Sequence, residues 1–225
     1  MLEKGDGIQI DIDNSIKYYK KAAKEGNADA IYKYASLIIC NDNNKDDIDE
    51  SIKLLKKACD KGHMDSMFLY GMIFLKGEIV PTDQKKAARY FRIAADNGQI
   101  DSMVQYGFML SNGEGVAINK EEAVKYYKMA INKGNSKAMY DYANLLYSGD
   151  GVFIDKKEAV KYYKKAATEG NSNAKLRLKE LMDNGVDVAN NYEEKSMIYK
   201  MAADKGDSDS MIKYADMKTN EKLIE

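Results

Sequence analysis

The sequence predicts an all-α protein built from stacked helix pairs, about twelve helices in all, and three observations carry that prediction. Glycine recurs in one context at Gly26, Gly62, Gly98, Gly134, Gly170 and Gly206, every step being 36 residues; an internal period of that size marks a stacked-repeat architecture. Apolar residues around those glycines fall at helical spacing: Ala138, Tyr142, Leu145 and Leu146 lie at i, i+4, i+7 and i+8, one face of a helix. The composition agrees, with one proline in 225 residues, 44% hydrophobic and 32% charged, too apolar for a disordered chain.

Each copy reads as two antiparallel helices, A then B. The chain opens on "GDGIQIDIDNSIKYYKKAAKEGN", a loop and a helix B (residues 1–27). Full copies follow at 28–63, 64–99, 100–135, 136–171 and 172–207, and 208–225 is a last helix A. The expected organisation is therefore one repeat domain, 1–225.

Helix A carries a bulky residue eight places after its glycine: Tyr34, Tyr70, Tyr106, Tyr142, Leu178 and Tyr214. The next residue is small in five copies (Ala35, Gly71, Gly107, Ala143 and Ala215), which lets helix B approach closely. Acidic residues at its start, Asp29, Asp65, Asp101 and Asp209, suit the positive end of the helix dipole; they read as structural in preference to metal-binding or catalytic. It ends at Gly113 in "NGEGV" and Gly149 in "SGDGV", where a left-handed cap favours glycine. Helix B starts behind Asn119, Asp155 or Asn191 with Glu122, Glu158 or Glu194 three residues on, which is capping-box spacing. Its core face is a bulky pair, as in Tyr90-Phe91 and Tyr162-Tyr163, followed by a small pair, as in Ala94-Ala95 and Ala166-Ala167.

These features, seen together in "YGFMLSNGEGVAINKEEAVKYYKMAINKGN" (Tyr106 to Asn135), resemble the Sel-one-like repeat family, relatives of the tetratricopeptide repeats with a period of 36 in place of 34. The resemblance covers almost the whole chain. It implies a right-handed α/α superhelix acting as a non-catalytic protein-interaction scaffold or adaptor, with A helices lining a concave groove. Two copies depart from the pattern. The loop "CNDNNKDDID" (Cys40 to Asp49) lacks both glycines, so it should change shape or let helix A run on. In the fifth copy Lys175 and Lys179 replace apolar and small residues, and Lys179 should push its helix outward or snorkel.

Several function classes find no support. Lys plus Arg total 35 against 36 Asp plus Glu, which gives no general attraction to nucleic acid or an anionic membrane. No apolar run approaches the ~20 residues of a membrane span. "MLEKGDGIQID" has no basic region leading into an apolar core, so no signal peptide is read. Cys40, Cys59 and His63 are the only cysteines and histidine, too few for a disulfide framework or a structural zinc site. Cys59 stands where other copies have Ala, and His63 where others have Asn, Gln or Asp, so both read as structural. No cofactor, metal or catalytic constellation emerges. A cytoplasmic setting is expected, with an ER-lumenal longer parent left open.

The working surface is expected on the face of helix A opposite its core phase. Six places after each glycine stand Tyr32, Phe68, Val104, Tyr140, Leu176 and Ile212; ten places adds Met72 and Phe108, and thirteen adds Ile39, Leu75 and Tyr147. The first row equally suits packing between neighbouring A helices. The functional reading is a peptide-binding groove anchored by Tyr32, Phe68, Met72, Phe108, Tyr140 and Tyr147, because aromatics and Met concentrate binding energy. Lys125, Lys128, Lys161, Lys164 and Lys165 on helix B read as a solvated convex face. The competing reading is a regulatory or structural repeat module of a longer multidomain protein. The terminal helices should leave Tyr19 and Ala22, and Tyr214 and Met217, bare, which would allow weak head-to-tail self-association.

Overall fold

The computed structural model describes residues 11–41, 44–189 and 191–222, and among them lie twelve helices and no strand. They are α1 (Ile12–Lys24), α2 (Ala28–Asn41), α3 (Lys45–Asp60), α4 (Met64–Lys76), α5 (Gln84–Asp96), α6 (Ile100–Asn112), α7 (Lys120–Ile131), α8 (Ser136–Ser148), α9 (Lys156–Thr168), α10 (Ser172–Asp183), α11 (Tyr192–Ala203) and α12 (Ser208–Lys222). Even-numbered helices are A and odd-numbered ones B, as the period predicts. Two compact units divide the chain, Met1–Ile118 with α1–α6 and Asn119–Glu225 with α7–α12.

The 36-residue period begins in the turn from B to A. Gly98 takes φ +94° there, donating to Ala95 O at 3.0 Å while Gln99 N donates to Ala94 O at 3.0 Å. An L side chain rarely adopts that backbone, so glycine marks the turn. The residue after each repeat glycine then caps helix A. Asn27, His63, Gln99, Asn135, Asn171 and Asp207 each accept the amide hydrogen of the residue three places on. That accounts for Asn, Gln, Asp and His sharing one position: each has an acceptor of the right reach. Helix B is capped as predicted, Asn119, Asp155 and Asn191 accepting from Glu122, Glu158 and Glu194 N at 3.0, 2.9 and 2.8 Å.

Packing within a pair follows from small residues facing rings. A β-carbon at Gly71 would lie 2.7 Å from the Phe91 ring, so only glycine lets α5 lie this close to α4. Phe91, Ala94 and Ala95 are fully buried beneath that contact. Tyr70 meets Tyr90 edge-on at 4.9 Å, and Tyr142 meets Tyr162 in the same way at 5.1 Å. Each buried ring contributes about 1.5–3 kcal/mol by leaving water. Successive B helices are joined by charge: Lys20 reaches Asp47 and Glu50, and Lys164 reaches Glu194. Lys164, expected on a solvated face, is thus partly a link between repeats.

Three sequence expectations are corrected or resolved here. Lys179 does snorkel, its ammonium standing 3.5 Å from both Asp183 and Asp207. In the loop without glycines, α2 continues to Asn41 and α3 starts at Lys45, while residues 42 and 43 lie outside the described residues. Tyr19 and Ala22 are not bare: both are half-buried and packed against the α2–α4 core, because α1 turns this face onto the first full repeat. Tyr214 and Met217 are also half-buried.

Candidate partner-binding face of the A helices

The rows expected opposite the core phase do not all point away from helix B. Phe68 lies 5.8 Å, ring to ring, from Phe91 of α5; Tyr140 and Tyr147 lie 5.8 and 6.5 Å from Tyr163 of α9. The cause is the small residue nine places after the glycine. It adjoins the six- and thirteen-place rows on the helical wheel, and the B-helix ring slides over it onto that flank. These aromatics are therefore half-buried, one edge held by the pair's own core.

In the first unit, Tyr32 is half-buried with its ring 6.5 Å from that of His63. Phe68 and Met72 line an apolar cavity of about 240 Å³ with Ile39, Leu69, Ile73 and Ile79, and Lys76 and Glu78 stand at it. Phe108 is 38% exposed, whereas Val104 of the six-place row is buried. The six-place row thus serves both readings: Val104 packs inside, and Tyr32, Phe68 and Tyr140 keep one side open.

In the second unit the corresponding face is polar beneath its aromatics. Tyr163 is fully buried, and its hydroxyl donates to Asn144 Oδ1 at 2.7 Å. Burial pushes the Tyr163 phenol up to about 12, so it keeps its proton and acts as donor. The Arg177 guanidinium reaches the same hydroxyl and pairs with Glu180 at 3.1 Å. Arg177 and the Lys156 ammonium each lie 5.2 Å from the centre of the Tyr147 ring, within the range of a cation–π attraction. Asp141 pairs with Lys137 at 3.2 Å with only 16% of its side chain exposed, and burial raises its carboxyl above the usual range.

Sequence reasoning missed Asn144, Lys156 and Arg177 as members of this surface, whereas Tyr163 beneath them is core, as its place in the bulky pair predicts. A signal was present for one of them: Asn144 occupies the ten-place position that holds Met72 and Phe108 in other copies. The groups set aside as structural have structural surroundings. His63 Nδ1 accepts from Ser66 N at 3.2 Å and its Nε2 meets Asp29 at 3.1 Å. Cys59 is buried and its thiol is pushed up to about 12 by that burial, while Cys40 is exposed. Among the described residues, no group of three or more His, Cys, Asp or Glu could hold a metal ion, and no helix is long and apolar enough to cross a membrane.

Comparison with known proteins finds similarity in sequence repeats and in fold. The family model for the Sel1 repeat matches residues 1–27, 28–63, 65–99, 100–135 and 136–171. A Sel1 repeat protein from Oxalobacter formigenes is similar in structure, with TM-score 0.80 and 29% identity over 91% of this chain and 84% of its own. So is a protective antigen with an SLR fold from uropathogenic Escherichia coli, with TM-score 0.77 and 25% identity over 90% of this chain; the chain spans 43% of that antigen's length. An immunity protein from Pseudomonas aeruginosa, 19% identical over 84% of this chain and 72% of its own, shares the fold at TM-score 0.56. No curated protein matches the sequence.

Proposed function

The chain belongs to the Sel1 repeat family, and from that premise we propose that it is a non-catalytic scaffold binding a protein or peptide segment on the outward faces of its A helices. The observation that carries this reading is the set of aromatic and Met side chains held half-open there. Phe68 is braced against Phe91 and, with the half-buried Met72, lines an apolar cavity of about 240 Å³, and Phe108 is exposed on the neighbouring A helix. Anchors already ordered lose little rotamer entropy on binding, which favours their use as hot spots. Tyr32, Tyr140 and Tyr147 extend the same role along their own helices. The exposed Cys40 thiol and buried Cys59 thiol, both unpaired, suit a reducing, cytoplasmic setting.

The test is affinity capture from a lysate with wild type and with Phe108→Ala plus Tyr140→Ala, identified by mass spectrometry, with helicity followed by circular dichroism. A partner recovered by wild type and lost by the double variant at unchanged helicity is the expected result. A double variant that retains every partner removes the groove from this reading. A second reading, a regulatory or positioning module within a longer protein, draws on the antigen of which this chain spans 43%. Attachment to a catalytic domain in the full gene product would favour it.

A further inference from the structure

We propose that the outward face of α8 and α10 is a receptor for an acidic peptide segment, with Asn144 donating to the segment and Arg177 and Lys156 receiving its carboxylate. This deepens the scaffold reading and rests on it. Tyr163 is buried and its hydroxyl donates to Asn144 Oδ1 at 2.7 Å. The Asn144 carboxamide is therefore held by its acceptor end, which leaves its two Nδ2 hydrogens to be matched by a further acceptor. An amide oriented this way offers two donors without reorganisation, which suits a carboxylate or a peptide carbonyl.

Charge supplies the second, independent observation. Arg177 and Lys156 come from different helices, yet both cations lie 5.2 Å from the centre of the Tyr147 ring. Their positive charge is gathered around one aromatic side chain and only partly neutralised. Glu180, the partner of Arg177, is 55% exposed and three residues away on the same helix, a pair worth little in water and readily exchanged for a ligand carboxylate. The other acid on this face, Asp141, is occupied by Lys137 and pushed toward its neutral form by burial. Tyr140 and Tyr147 would flank the segment with apolar surface on either side of the charged group. Arg177 also stands near the Tyr163 hydroxyl, so the guanidinium and the carboxamide on α10 and α8 are neighbours across one buried phenol of α9.

The experiment uses the full chain and N-acetylated, C-amidated hexaglutamate, with hexaglutamine as the neutral control. Side-chain nitrogen–proton spectra follow Asn144 Nδ2 and Arg177 Nε during titration. Both signals should shift with hexaglutamate and stay in place with hexaglutamine. Asn144→Asp keeps an acceptor for Tyr163 while removing the donors, so it should fold normally. It and Arg177→Gln should each weaken binding roughly ten- to hundredfold, the size of one charge-assisted hydrogen bond. Equal binding by wild type and both variants would assign the peptide to scattered lysines and overturn the proposal. So would equal response to the two peptides, or no movement of either signal. In that event the capture experiment with Phe108→Ala and Tyr140→Ala still decides the scaffold reading separately.

Discussion

The A helices of the fourth and fifth copies, α8 and α10, start alike and pack differently. Asn135 and Asn171 cap them identically, accepting from Ala138 N and Ala174 N at 2.9 Å. Yet α8 buries Ala138, Met139, Tyr142, Ala143, Leu145 and Leu146, whereas α10 buries only Ala174, Leu178 and Leu181. Two positions account for most of this: Met139 and Ala143 in α8 are Lys175 and Lys179 in α10. The fifth copy is also the full copy that the Sel1 repeat model does not match. A repeat can thus keep its caps and register while losing much of its buried apolar surface. Local turn chemistry forms the helix, and tertiary packing then sets how firmly it is held.

The largest difference between the two helices should appear on truncation at the equivalent positions Tyr142 and Leu178. Tyr142→Ala should cost about 3–5 kcal/mol, and Leu178→Ala should fall near the low end of its usual range of about 2–5 kcal/mol, because fewer buried residues on α10 surround the cavity and the helix can relax toward it. Denaturant titration measures both, and a reversed order would refute the contrast. The next test lies in the loops. Gly149 takes φ +74°, and a β-carbon there would collide with Ile154; Gly185 takes φ +76° with nothing within 4 Å. Gly149→Ala should therefore cost more than the roughly 1–2 kcal/mol of left-handed strain alone, and Gly185→Ala no more than that.

Hydrogen exchange should show the same contrast in the unmodified chain. Amides of α10 should exchange about tenfold faster than those of α8, corresponding to roughly 1.4 kcal/mol easier local opening. Equal or greater protection in α10 would count against the difference in packing.

The two helices also differ in the sign of a pH effect. Burial raises the Asp141 carboxyl in α8, Lys137 offsetting part of it. Its ionised form is disfavoured in the fold, so stability is greatest below the unfolded carboxylate range and weakens as pH rises through the raised value. For Asp183 in α10, burial pulls upward, but hydrogen bonds from Lys213 and Tyr199 outweigh it and hold the carboxyl below its ordinary value. That contribution is present above the unfolded range and lost as pH falls through the depressed value. Asp141→Asn should stabilise and Asp183→Asn destabilise at neutral pH, and both differences should vanish in acid. Stability curves of the two variants across pH check the signs.

The smallest effect concerns Lys179. Had the lysine pushed its helix outward in place of snorkelling, its removal would relieve strain and stabilise the fold. The ammonium instead reaches Asp183 and Asp207 at 3.5 Å with 16% of the side chain exposed. Lys179→Ala should now cost less than about 1 kcal/mol. A measured stabilisation would restore the idea of a strained lysine.

Much of this architecture was legible because its signals are local. A left-handed turn needs glycine, an exposed helix start needs a short acceptor, and a buried face needs apolar residues at helical spacing. Each requirement acts within a few residues, so Gly98, Asn119 or the Tyr142 row announces its element without knowledge of the rest. The helix-A caps were the exception among local features. Asn27, His63 and Gln99 look unlike one another as letters and share only an acceptor at the right reach.

The candidate site was legible only as a list of outward positions. Periodicity predicted about twelve helices, their order, and the rows holding Phe68, Met72, Phe108, Tyr140 and Tyr147. What the tertiary structure alone decided is which atoms on those rows are braced, open or already paired. Phe68 leans on Phe91 of the next helix, a cavity opens beside Met72, and the Asn144 carboxamide is held at its oxygen by a hydroxyl 19 residues away in sequence. Exposure and hydrogen-bond direction depend on neighbours brought together by packing across α8, α9 and α10, and no helical period encodes the distance between side chains on different helices.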